Sequence, residues 1–180
     1  MIKNKYPTIK PSLNLDFANT KSLDPRITFR RGTAGAYYDG VTHVKAEENL
    51  LSYSEDFANA YWTKGNCSIT SDSVDAPDGS VSAADKIVEN TQTSTHQLSA
   101  SAAGNLNQAY ALSYFAKPAG SNSCRISVSG QGSATFNVST GVVITNEFLS
   151  ASIEAVGNDW YRVSVTVIKT NTNPDIFIGP

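Results

Sequence analysis

The chain has 180 residues and a formal net charge of −2, enough length for one domain with a core of its own and an arm beside it. Charged residues make up 17% of it, below the usual share of about a quarter, and its Lys and Arg are too dilute for a nucleic-acid groove. No apolar run approaches the roughly 20 residues that span a bilayer, and the basic start, residues 1–5, runs into no apolar stretch, so no secretion signal is expected.

The charge is unevenly placed. Residues 1–48 hold eight Lys/Arg against five Asp/Glu, and residues 49–180 hold six against eleven. A basic leader beside an acidic body marks residues 1–48 as a distinct unit that would dock on an acidic neighbour. Within it, Pro7 and Pro11 keep the start out of helix. Leu13, Leu15 and Phe17 alternate with Asn14 and Asp16, the period of a short half-buried strand. After the Asp24-Pro25 turn signal, Ile27-Thr28-Phe29-Arg30 is a second short strand. Asp39-Gly40 lies between Ala36-Tyr37-Tyr38 and Val41-Thr42-His43-Val44 and predicts a hairpin, since both central turn residues must take positive φ. The leader has little core of its own. Leu13, Leu15, Phe17, Ile27 and Phe29, with Arg30 and Arg31, are therefore the candidate assembly residues, which must bury their apolar members against a neighbouring subunit or the body.

From Asn49 onward, strands are predicted at 49–54, 66–70, 84–89, 95–100, 109–117, 123–129, 133–138, 142–145, 149–156, 160–169 and 175–179. The one helical candidate is a turn or two at 55–62. Regular short strands separated by turn clusters predict an all-β sandwich. Period-two alternation supplies its core face: Tyr110, Leu112 and Tyr114; Cys124, Ile126 and Val128; Phe136 and Val138; Ile153; Tyr161, Val163, Val165 and Val167. Ser139-Thr140-Gly141 should turn strand 133–138 back onto 142–145.

The opposite parity collects Arg125, Ser127, Ser129, Thr135, Asn137, Trp160, Arg162, Ser164 and Thr166. These form a polar sheet face with one large aromatic and two guanidinium groups. Trp160, Arg162 and Arg125 are accordingly the candidate ligand-binding residues. Trp62, after the acidic turn, is expected to plug the end of the sandwich rather than stack on a sugar ring.

Little points to catalysis or metal. Glu55-Asp56 offers two carboxylates where calcium takes six to eight ligands, and is expected to supply N-terminal helix charge. The set Asp72, Asp75, Asp78 lacks the ordered spacing and final Glu of a calcium loop and is expected to be solvated turn residues. Cys67 and Cys124 have no CxxC spacing and no histidine beside them, so zinc is not expected. Buried free thiols are the first expectation for them, a disulfide the alternative in an oxidising compartment. There is no GxSxG elbow, no phosphate-binding glycine loop, and no motif around His43 or His96. No catalytic residue, metal or cofactor is expected, and nucleic acid and membrane insertion are not expected partners.

Two stretches resemble virion proteins of tailed bacteriophages. Pro11-Ser12-Leu13-Asn14-Leu15-Asp16-Phe17-Ala18-Asn19, followed by Leu23-Asp24-Pro25-Arg26-Ile27-Thr28-Phe29-Arg30-Arg31-Gly32-Thr33, is similar to an N-terminal segment of tail and other structural proteins of such phages, notably those of marine and cyanobacterial hosts. Residues 49–178 resemble a phage-associated, carbohydrate-binding-like jelly roll. The marks are Asn49-Leu50-Leu51-Ser52-Tyr53-Ser54-Glu55-Asp56-Phe57, Trp62-Thr63, Ala76-Pro77-Asp78-Gly79, Ala84-Asp85-Lys86, Tyr110-Ala111-Leu112-Ser113-Tyr114-Phe115-Ala116-Lys117, Ser139-Thr140-Gly141, and Ile153-Glu154-Ala155-Val156-Gly157-Asn158-Asp159-Trp160-Tyr161-Arg162.

The resemblance implies an anchoring arm with short strands and a hairpin at 1–48, and a lectin-like jelly-roll β-sandwich at 49–180 that stops short of the family's last strand. It implies a non-enzymatic tail-fibre or appendage protein of the virion, assembled in the host cytoplasm. Such a protein would contact other virion proteins, form a homotrimer, and bind host-surface polysaccharide through the jelly roll. Three alternatives stand beside it: a capsid decoration or cement protein with the same fold, a carbohydrate-binding module of a secreted bacterial enzyme, and a chain that is itself a hydrolase of host polysaccharide.

Overall fold

The computed structural model describes residues 49–180 and, before them, the strand residues 36–38 and 43–45. The chain divides into two compact units, Met1–Glu48 and Asn49–Pro180. In the first, β1 (Ala36–Tyr38) pairs antiparallel with β2 (His43–Lys45), Ala36 opposite Lys45 and Tyr38 opposite His43. Of the expected strands, Ala36–Tyr38 and the His43–Val44 part of the second are described, and Val41 and Thr42 lie outside the described residues. The Asp39-Gly40 turn, the two leading strands and the assembly residues Leu13, Leu15, Phe17, Ile27, Phe29, Arg30 and Arg31 lie outside the described residues.

The second unit is all-β among its described residues, with β3 (Thr63–Gly65), β4 (Cys67–Val74), β5 (Ala84–Glu89), β6 (Gln97–Ser101), β7 (Ala109–Ala116), β8 (Ser123–Val128), β9 (Gly132–Asn137), β10 (Val142–Asn146), β11 (Ser150–Gly157), β12 (Trp160–Ile168) and β13 (Asp175–Gly179). Six of them form one antiparallel sheet in the order β10-β9-β8-β13-β6-β3, three form a second, β11-β12-β7, and β4-β5 is a separate hairpin. The arrangement is compatible with a β-sandwich.

Side-chain alternation explains how these sheets stack. One core cluster joins Cys124, Ile126, Ala134, Phe136 and Val138 of the large sheet to Val163 and Val165 of β12, with Leu112, Tyr114 and Ile153 packed on it. A second joins Trp62, Leu98, Ala100, Ala102, Ile176 and Ile178, and is covered by Cys67, Ile69 and Ile87 of β4-β5 and again by Leu112 and Tyr114. The large sheet is therefore faced by two pieces: the three-stranded sheet over its β8-β9 half and the β4-β5 hairpin over its β6-β13 half. Leu112 and Tyr114 of β7 touch both clusters and tie them into one interior.

Two predicted elements are corrected at the head of this unit. Residues 49–54 are not a strand. The Asn49 carboxamide accepts the Leu51 amide at 3.0 Å and donates to Ser54 Oγ at 2.9 Å, and Tyr53 takes φ 51°, so local side-chain bonds hold a turn against the extended form. Residues 55–62 are not helical. Asp56, Asn59 and Trp62 amides each donate to the carbonyl three residues back, Tyr53, Asp56 and Asn59, a chain of separate turns fixed by the Asp56 carboxylate on the Asn59 amide at 3.1 Å. Strand β3, just beyond, has no counterpart in the sequence expectation. The β9-β10 turn forms as expected: Asn137 Oδ1 accepts the amides of Ser139 and Thr140, and Gly141 takes φ 71°, where an added Cβ would stand 3.0 Å from the Tyr161 ring.

Lys169, at the end of β12, is 3% exposed. Its ammonium donates to the carbonyls of Ala102 at 2.7 Å and Thr172 at 3.1 Å and lies 5.3 Å from the Tyr110 ring centroid, clamping two loops together. Burial pushes its pKa below the ordinary lysine value. Lys169→Met should cost about 1–3 kcal/mol in chemical denaturation, because two carbonyls lose a buried donor. A lowered folded-state pKa means that the unfolded chain binds more protons, so the parent should gain stability relative to the variant as pH rises through that value toward 10.5.

Candidate functional site

The three expected ligand residues do not share a face. Arg125 is on β8 in the six-stranded sheet and Arg162 on β12 in the three-stranded sheet. Because the neighbours of both, Cys124 and Ile126 on one side and Val163 on the other, point into the common core, the two guanidinium groups point to opposite outer surfaces. The single polar face inferred from parity is two faces.

Trp160 is corrected more sharply. It is 7% exposed, and its indole N–H donates to the Asp75 carbonyl at 3.1 Å. It begins β12 beside an irregularity in which Gly157 pairs with Trp160, with Gly157, Asn158 and Asp159 all at positive φ. Parity places it away from the core as expected, but the turn after β4 lies over it. Trp160 therefore joins β12 to the β4-β5 hairpin, with its indole almost wholly covered and only an edge of it left at the groove between the hairpin and β7.

What Arg162 does have is a set of neighbours across the strands. Register places Glu154, Arg162 and Phe115 in one row over β11, β12 and β7, and Ser152, Ser164 and Ser113 in the next. Arg162 Nη2 donates to Ser113 Oγ at 3.3 Å, and Ser152 Oγ and Ser164 Oγ are 2.7 Å apart. Phe115 is 47% exposed. The result is a pleated surface with an aromatic ring, a guanidinium, a carboxylate and three hydroxyls within two rows, all on the side opposite the buried Val163 and Val165. Phe115 was missed in the sequence, although its parity, opposite to that of Tyr114, already sends it outward. Glu154 was missed because only the register of β11 on β12 brings it beside Arg162.

The Arg125 face is different. Arg125 Nη2 donates to Ser127 Oγ at 3.2 Å, Thr135 is its cross-strand neighbour, and Phe177 is half-buried between Ser127 and Ser99. A shallow hollow of about 30 Å³ lies beside Arg125, His96 and Phe177, too small for a sugar ring.

The remaining candidates take structural roles. Trp62 is 2% exposed, donates its N–H to the Tyr53 carbonyl at 2.9 Å, and meets Phe57 and Tyr61 edge-on with centroids 5.1 and 5.6 Å away, the plug that was expected. Asp75 and Asp78 accept the amides of Ser82 and Ser80, and the Ser80 amide holds the Asp78 carboxyl below its ordinary value. His96 Nδ1 is 3.8 Å from Glu89 Oε1, and its Nε2 is buried without a partner. Among the described residues, no three His, Cys, Asp or Glu side chains gather as a metal site, and no helix is long and apolar enough to cross a membrane.

Cys67 and Cys124 are both free thiols. They belong to different parts of the interior, Cys124 within one core cluster and Cys67 against the other. Burial raises the pKa of both, and thiolate is the reactive form. In the folded protein at pH 7, a thiol reagent should therefore label the half-buried Cys67 slowly, and Cys124 only as fast as the protein unfolds. Peptide mapping of a labelling time course measures the order.

Comparison of the chain with protein-family models and with curated proteins returns no match.

Proposed function

We propose that residues 49–180 are a jelly-roll binding module of a tailed-phage virion protein, which holds a host-surface glycan without turning it over. Residues 1–48 would attach it to other virion proteins, most simply within a homotrimer. The observation that carries the glycan reading is the row Glu154–Arg162–Phe115 with Ser113, Ser152 and Ser164 beside it. An aromatic face suits the C–H face of a pyranose, while the guanidinium, carboxylate and hydroxyls can donate to and accept from its hydroxyl groups. The row lies on strands rather than loops, so its geometry is set before the ligand arrives. The phage reading rests on the sequence resemblance, and the all-β architecture is compatible with it.

The test is incubation of the full chain with host-surface polysaccharide, with pull-down and reducing-end release measured on the same samples. Retention without release supports a passive module. Steady release of reducing ends would make the chain a hydrolase, and absence of retention on every host polysaccharide would remove the glycan reading.

A further inference from the structure

Between the two pieces that face the large sheet runs a groove of about 860 Å³. One wall is the whole of β5, Ala84–Glu89, and the other is the Ser113–Ala116 portion of β7. Its floor includes Cys124, Val138 and Ile178, from the interior. Both walls are strand edges: β5 pairs only with β4, and β7 only with β12, among the described residues. Each therefore presents backbone N–H and C=O groups toward the same space with no ladder partner. An unpaired edge is a template for another strand, and here two such edges flank one apolar-floored channel. At about 3.3 Å per residue, β5 offers roughly 20 Å of edge, the length of an ordinary strand.

The charge of the lining says which strand suits it. Glu55, Asp78, Asp85 and Glu89 line the groove against Lys86 and Lys117. Lys117 donates to the neutral Asn158 carbonyl at 2.9 Å and keeps its charge, so the lining holds four carboxylates against two ammonium groups. Asp85 is held by the amides of Phe57 and Asp72, which leaves Glu55, Asp78 and Glu89 exposed.

We propose that the groove between β5 and β7 is the docking slot for one extended strand of a partner polypeptide, with apolar residues turned to the floor and Lys or Arg among the others. Main-chain pairing to both walls supplies affinity and the acidic rim supplies selectivity, the mode of strand addition to a sheet. Ser113 and Phe115 of β7 border both this groove and the proposed glycan surface, which otherwise extends over the outer side of β12 and β11; peptide exchange and glycan retention read the two separately.

The test is amide hydrogen exchange on the full chain, alone and with a blocked synthetic peptide, Lys-Val-Thr-Val-Lys-Val, and with its Glu-for-Lys counterpart. The expected result is fast exchange along one side of both β5 and β7 in the free protein, and saturable slowing in both strands with the Lys peptide. Charge reversal at the exposed rim, Asp78→Lys with Glu89→Lys, should weaken binding about tenfold or more. Four outcomes overturn the proposal: both edges already slow in the dilute free protein, so that the chain's own residues fill the slot; slowing that appears with protein concentration alone, so that a second copy does; no slowing with the Lys peptide; or equal binding of the Glu peptide.

Discussion

Trp160→Ala should destabilise residues 49–180 by about 3–5 kcal/mol, the range for removing a buried Trp or Phe, and should lower the thermal midpoint by on the order of 10 °C or more. The large value follows from two losses at one place. The indole is almost fully covered, so truncation opens a cavity that strand neighbours cannot close. Its N–H is also the bond to the Asp75 carbonyl, which holds the turn after β4 against the start of β12. Trp160→Phe should recover part of the packing but not the hydrogen bond, and so fall between parent and Ala. Differential scanning calorimetry of the three proteins checks the order. A Trp160→Ala protein as stable as the parent would mean that the indole is not the link between β12 and the hairpin.

Phe115→Ala and Arg162→Ala should act in the opposite sense, with a large effect on binding and a small one on folding. Each is expected to lower glycan affinity by about 1–2 kcal/mol, roughly five- to thirtyfold, the scale of a contact residue at the centre of an interface. Neither should change stability by more than about 1 kcal/mol, because Phe115 is half exposed and Arg162 is exposed. Arg125→Ala is the internal control. It removes the same charge from the opposite outer face and should leave retention unchanged. Isothermal titration against an oligosaccharide that binds the parent resolves all three. Loss of binding in Arg125→Ala with Arg162→Ala unaffected would move the site to the six-stranded sheet.

Alternation carried most of the strand content and the core. The inward sets of β7, β8, β9 and β12 appear in the structure as Leu112 and Tyr114, Cys124 and Ile126, Phe136 and Val138, and Val163 and Val165, because the parity of a strand is a local property. It failed where a side chain competed with the backbone: the Asn49 carboxamide bonds the residues that would otherwise have extended.

The candidate site was less legible, because it depends on relations between distant segments. Arg162 and Arg125 have the same parity, yet parity does not say that β12 and β8 belong to different sheets. Trp160 was placed on the correct side of its strand, but the residue covering it is 85 positions away. Phe115 and Glu154 become neighbours of Arg162 only through the β7-β12 and β11-β12 registers. Irregularities near Gly157 shift one of these registers at the edge of the row. The groove between β5 and β7 is likewise a consequence of how the facing layer is divided, which no single strand encodes.

The measurement that bears most directly on a passive glycan-binding surface is a host-glycan array probed in parallel with the parent and with Phe115→Ala, each first shown to have the same thermal midpoint. The expected result is a defined set of glycans retained by the parent and lost by the variant, with every array spot chemically intact afterwards. Equal retention by both proteins, or cleaved glycans after incubation with the parent, would contradict it.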